Sequence, residues 1–214
     1  VARIVKLPEE RRQELVQAAR ELFMEKGYEK TSVNDIIQRL NVAKGTFYHY
    51  FKTKDEIADA VIQAEIESSI PALKKIAAKN DIDAVEKMTA VIQLITEAVT
   101  VHYKDGLMAY LHHAHNSSLH LKMKLLLLRS YTPFVSEIVQ QGVKEGVFHS
   151  EHPEQISEFL MAGLHFMLDP SFFPRSGETA RATIEALPEI YEKLLGAAKH
   201  TFAHVRTSFQ AMYE

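Results

Sequence analysis

The chain contains no cysteine, which excludes disulfides, thiolate nucleophiles and cysteine-ligated metal sites. Long apolar runs are also missing. The all-leucine run Leu125 to Leu128 is far shorter than the roughly 18 residues that cross a bilayer. The N-terminal stretch VARIVKLPEERR lacks the apolar core of a secretory signal, so a cytoplasmic location is expected. Glycine and proline are sparse, eight and seven in 214 residues. They punctuate stretches of helical periodicity rather than alternating β-branched segments, so no strand is expected. Neither G-x-S-x-G, H-E-x-x-H, a phosphate loop nor a Cys-His pair occurs, and with them go the common signatures of an enzyme.

Net charge is small, at −3, but it is unevenly placed. Val1 to Lys54 carry 11 Lys/Arg against 7 Asp/Glu, and the remainder carries 14 against 21. A basic head on an acidic body confines attraction for phosphate to the head. The length allows one domain or two small ones, and 46% hydrophobic residues suffice for a globular core.

The head holds the most informative segment, TSVNDIIQRLNVAKGTFYHYFKTK, from Thr31 to Lys54. Ser32 is a good N-cap, with Asp35 in the first turn behind it. Val33, Ile36, Ile37 and Leu40 recur at helical spacing. Asn41 tolerates the left-handed conformation that ends a helix. A second helix follows Val42-Ala43 and runs to about Tyr50. Phe47 and Phe51, four apart, can share its buried side, which leaves Lys44, Gly45, Thr46, Tyr48 and His49 outside. Thr53 and Glu56 form another cap pair, and a long helix begins at Lys54. Two short helices with a turn of about three residues fit a helix-turn-helix, which places its second helix in the major groove of DNA. An earlier helix from about Pro8, with Leu15, Ala18, Ala19, Leu22 and Phe23 on its buried face and Gly27 at its end, completes a three-helix reader.

The words AARELFMEKGYEKTS and KTSVNDIIQRLNVAKGTFYHYFKTKDEI resemble the N-terminal DNA-binding domain of the TetR family of transcriptional regulators. The resemblance covers about Arg11 to Ile62. One departure is Ala43, where many members carry a capping Ser or Thr. The resemblance implies an all-α fold: residues 1–54 as the helix-turn-helix domain and 55–214 as a helical bundle that binds a small ligand and dimerises. It places the dimer face on two late helices, here Gln155 to Phe166 and Ile184 to Phe202. It implies binding to a pseudo-palindromic double-stranded operator, most often as a repressor, without a cofactor. It also makes Tyr48 and Lys54 phosphate contacts.

From the residues themselves, Lys44 can reach guanine or a phosphate and Gly45 permits close backbone approach. Thr46, Tyr48 and His49 can meet phosphates or base edges. The backbone N–H groups at Ser32 and Val33 form a helix N-terminus suited to a phosphate. Thr31 and Ser32 add hydroxyls, and Asn34 can reach a base edge. Arg3 and Lys6 can lie along the backbone or form a basic tip.

After Lys54 the chain reads as helix throughout. One helix reaches about Ala78 with Pro71 as a kink or break, and a second is capped by Asp81 or Asp83. A short helix covers Met108 to His115, and a long one follows Ser117 or Ser118 with Pro133 inside. Pro153 to about Leu168 and Glu178 to about Phe209 close the chain, the last interrupted at Pro188 and Gly196. Tyr103, Met108, Tyr110, Phe134, Phe159, Phe166 and Met167 can line an apolar cavity or be plain core. His112, His113, His115 and His120 cluster, His149/His152 are three apart and His200/His204 four apart. This leaves open a metal- or haem-responsive protein, although no acidic residue lies between His112 and His120. His165 fits a hydrogen-bonded core position.

Overall fold

A computed structural model of the chain describes residues 7–102, 117–169 and 171–210. Regular structure among these residues is entirely helical, as the periodicity predicts. The helices are α1 (Pro8–Lys26), α2 (Val33–Leu40), α3 (Lys44–Tyr50), α4 (Lys54–Ala77) and α5 (Ala84–His102), then α6 (Ser117–Glu145), α7 (Pro153–Met167), α8 (Gly177–Leu195) and the short α9 (Arg206–Gln210). The chain divides into two compact units, Val1–Glu65 with Tyr103–Met123, and Ile66–His102 with Lys124–Glu214.

In the first unit, local chemistry sets most of the helix ends. Pro8 opens α1 with Glu9 and Glu10 in its first turn, where the helix dipole favours acids. Gly27 ends it at φ 81°, a conformation that costs a residue with a Cβ. Ser32 caps α2 by accepting from the Asp35 N–H, and the Asp35 carboxylate accepts the Ser32 N–H at 2.6 Å. Asn41 closes α2 at φ 49°. Thr53 Oγ1 accepts from the Glu56 N–H at 3.1 Å, and the Glu56 carboxylate accepts the Lys52 N–H at 2.6 Å. The core beneath these caps is Leu15, Phe23, Ile36, Phe47, Phe51 and Ile57, all buried.

In the second unit, Asp83 caps α5 by accepting from the Glu86 N–H at 2.8 Å. Pro71, Pro133 and Pro188 all lie inside continuous helices: Pro133 stands inside its helix as the sequence suggests, and neither Pro71 nor Pro188 breaks its own. Each removes one ladder bond, yet Leu73, Val135 and Leu187 beside them are buried to within 1%, and packing holds the helices through. Gly142 packs under the Phe148 ring, which a Cβ would strike. The interruption at Gly196 is real: it stands at φ 62° and ends α8. The final stretch then turns back so that Phe202 and Phe209 are buried beside Tyr191. The expected helix over Met108 to His115 lies outside the described residues.

Several polar side chains are buried here. Lys124 Nζ pairs with Asp169 Oδ2 at 2.6 Å and donates to the His165 carbonyl at 2.8 Å. Lys87 Nζ donates to the Ala77 carbonyl at 2.7 Å and to Gln141 Oε1 at 2.6 Å, clamping the end of α4. His165 is held neutral by burial and by the nearby Lys124 charge, its pKa pushed down to about 3.

Two outcomes follow for stability. Asp169→Asn strands the Lys124 charge and should cost about 3 kcal/mol in urea denaturation, whereas Lys124→Met with Asp169→Leu should recover most of it. The folded His165 pKa lies below the unfolded value of about 6.5, so the unfolded chain binds the extra proton. Its contribution is complete above about pH 6.5 and is lost as pH falls through the window below. His165→Gln should flatten the stability profile between about pH 6.5 and 5, where carboxylates contribute little.

Candidate nucleic-acid interface

A helix of seven residues cannot persist alone in water, so α3 must be held by what it buries. Phe47 is its one fully buried residue, and Phe51 follows at the C-cap, 2% exposed. The two rings stand 6.0 Å apart, and Arg12 lies 5.3 Å over Phe51. With that side fixed, Lys44, Gly45, Tyr48 and His49 are exposed and Thr46 is partly so. Lys44 Nζ lies 5.8 Å from the Tyr48 ring centre, so cation and aromatic form one patch. A Cβ built on Gly45 would meet nothing within 4 Å. Ala43, the N-cap, makes no side-chain cap bond.

At the start of α2, Ser32 and Asn34 are exposed and Val33 is half-buried. The Ser32 N–H is already taken by Asp35, so Val33 and Asn34 supply the amides still directed outward. Asp35 is held well below the usual carboxylate range by its bonds to Lys26, 2.9 Å away, and to Ser32. Its negative charge is thereby partly answered where an anion would approach.

Two residues do other work than the sequence suggests. Thr31 is 1% exposed, and its hydroxyl donates to the carbonyls of Gly27 at 2.8 Å and Leu22 at 3.2 Å. It closes the end of α1 and offers nothing to a phosphate. The Lys54 ammonium lies 4.0 Å over the Tyr28 ring and donates to the Tyr28 carbonyl at 3.0 Å, while the Tyr28 hydroxyl bonds Asp55. Lys54 therefore ties the turn after α1 to the start of α4. Arg39, which the sequence did not single out, is drawn away from the patch by Glu25 at 2.6 Å and Glu21 at 3.4 Å.

The candidate ligand residues divide. Tyr103, Met108 and Tyr110 lie outside the described residues, as do His112, His113, His115, Arg3 and Lys6. Phe134 and Phe166 are half-buried, and Phe166 packs 5.1 Å from Phe172. Phe159 is 64% exposed, so it lines no interior cavity. The polar residues Lys124, Tyr131 and Asp169 were not anticipated, since their partners lie tens of residues away. Among the described residues no three His, Asp or Glu side chains come together as a metal site. His149 Nδ1 bonds the Gly196 carbonyl at 2.9 Å. His200 sits in a turn at φ 70° rather than on a helix, so its spacing to His204 does not put both on one face. His204 instead meets Thr89 Oγ1 at 3.0 Å.

Comparison with known proteins agrees with this geometry. The profile for bacterial regulatory proteins of the tetR family matches residues 15–61, and that for the tetracyclin repressor-like C-terminal domain matches 104–190. The Transposon Tn10 TetC protein of Escherichia coli is 43% identical over 54 residues, 25% of this chain and 27% of that one. A Fatty acid metabolism regulator protein of Bacillus subtilis is 26% identical over 134 residues, 62% of this chain and 68% of that one. Several such relatives are matched over only 27–36% of their length. Among solved structures, RolR in complex with resorcinol superposes with a TM-score of 0.64 at 19% identity, covering 97% of this chain and 96% of that one. At that identity the likeness is one of fold. With both profiles matched, over more than half of its length, and an outward-facing reading helix, the chain belongs to the TetR family of DNA-binding transcriptional regulators.

Proposed function

We propose that the protein is a homodimeric repressor that leaves a pseudo-palindromic operator when a small apolar or aromatic effector binds its C-terminal helical region, residues 55–214, with residues 1–54 as the reader. The observation that carries the DNA-binding part is the outward patch of α3. Lys44, Gly45, Thr46, Tyr48 and His49 face away from a core that only Phe47 and Phe51 enter. Lys44 reaches a guanine edge or a phosphate, Tyr48 donates to a phosphate, and Gly45 lets the backbone come close. Asn34 and the amides of Val33 and Asn34 add contacts from α2, and Lys54 uses its remaining N–H groups. Such a protein works in the cytoplasm, where its operator is.

A two-fold dimer matches two reading helices to two half-sites. Phe159 supports α7 as its face: it is largely exposed, and one turn later Gly163 has open space where a Cβ would be. An apolar knob beside a gap suits a self-complementary contact. Phe202, at the far end of the second expected dimer segment, is fully buried within the chain and takes no part. An aromatic effector is in keeping with the resorcinol held by RolR and an apolar one with the fatty acid regulator. Release follows if the effector prefers a placement of α4 that spoils the half-site spacing, because only Phe51-Lys52-Thr53 separates α4 from the reader.

Operator affinity tests the reader. Lys44→Ala with Tyr48→Ala should abolish binding in gel shifts, each contact contributing about 1–3 kcal/mol, with an unchanged melting temperature. Gly45→Ala should weaken binding while α3 gains up to about 1 kcal/mol. Gel shifts unaltered by these changes would overturn the assignment. For the dimer, Phe159→Glu should shift sedimentation toward monomer and weaken the operator complex, leaving the helical circular dichroism signal intact.

A further inference from the structure

The core of the second unit holds a buried imidazole. His165 on α7 is 7% exposed, and its Nε2 is sealed from solvent without a hydrogen-bond partner among the described residues. Leaving such a nitrogen unmet is costly, and a fold that keeps one calls for an explanation. The Tyr131 ring of α6 stands edge-on to the imidazole with centroids 6.3 Å apart. The Tyr131 hydroxyl lies 2.6 Å from Ser69 Oγ on α4. Ser69 has a single hydroxyl proton and donates it to the Ile66 carbonyl at 2.6 Å. Tyr131 must therefore be the donor to Ser69, which leaves its own oxygen with acceptor capacity.

We propose that His165 Nε2 and the Tyr131 hydroxyl form the polar end of the effector site, and that the effector is an uncharged molecule carrying a hydroxyl group on an apolar or aromatic body. The inference rests on the ligand-released reading above and adds the chemistry of the ligand. A hydroxyl both donates and accepts. It can donate its one proton to the Tyr131 oxygen and accept from the imidazole in the Nε2–H tautomer. A carboxylate brings acceptors alone and would face the Tyr131 lone pairs. It would also lack a counter-charge, because Lys124 is paired with Asp169 and His165 is kept neutral by burial. A hydrocarbon would leave the nitrogen as it stands. The surroundings suit an apolar body: Met161 and Val135 lie one helical turn from His165 and Tyr131, and both are buried. Tyr131 also ties the site to α4. Its bond reaches Ser69, two residues before Pro71, where the helix lacks a ladder bond. An effector that reorients the Tyr131 hydroxyl acts where α4 is most easily bent.

The test is calorimetric titration of the full chain with phenol, toluene and benzoate, together with 15N spectra of the histidine side chains. Phenol should bind saturably and shift one imidazole Nε2 resonance that is missing in His165→Leu. Toluene and benzoate should bind about tenfold more weakly or worse, one hydrogen bond's worth of affinity. Tyr131→Phe, which keeps the ring, should weaken phenol about tenfold on the same grounds and guards against a folding defect in His165→Leu. Equal binding of toluene or benzoate, phenol affinity unchanged in both variants, or no saturable phenol binding overturns the site. Gel shifts run in parallel separate the two claims: operator binding without phenol binding overturns this site alone, whereas phenol binding on these terms without operator binding overturns the regulator reading and leaves the site standing.

Discussion

The burial of Phe47 is the contact on which the rest depends. A seven-residue helix gains too few backbone bonds to offset its nucleation, so α3 takes its shape and orientation from one ring driven into the core. Phe51, at the C-cap, extends the anchor by one turn, and Arg12 of α1 covers it. The groups that face outward do so because these rings face inward. Reading and stability are thus divided between the two sides of one short element, and side chains on the outer side can change without touching the core.

The body is built on a different balance. Its helices are long enough to tolerate three internal prolines, because burial of Leu73, Val135 and Leu187 outweighs the lost ladder bonds. That surplus also lets it keep polar groups in its interior. Lys124 with Asp169, and Lys87 with Gln141, each tie together segments distant in sequence. Such ties stabilise little compared with apolar packing, but they are specific about which segments meet.

How far the sequence reveals all this depends on the range of the interaction. Ser32, Asn41 and Thr53 act on neighbours within one turn, so their caps could be read directly, and the bounds of α2 and the start of α4 follow from them. The outward side of α3 was legible for the same reason, since spacing alone puts Phe47 and Phe51 on one side. Thr31 misled because its hydroxyl is taken by the carbonyls of Gly27 and Leu22, and the sequence did not announce the tie of Lys54 to Tyr28 on another element. Pro71 and Pro188 misled because propensity is local and burial is not. The Lys124–Asp169 pair spans 45 positions, and nothing near either residue announces the other. His200 misled because spacing implies a shared face only on a helix, and it sits in a turn.

Gly45 has one further consequence. A helix this short can ill spare a residue that favours the unfolded chain, and nothing inside the protein occupies the space that its missing side chain leaves open. Its backbone does not need positive φ, so any small residue would fit and would strengthen the helix. Selection for a sturdier fold would therefore replace it. Whatever retains a glycine at this position must act through a surface that belongs to another molecule.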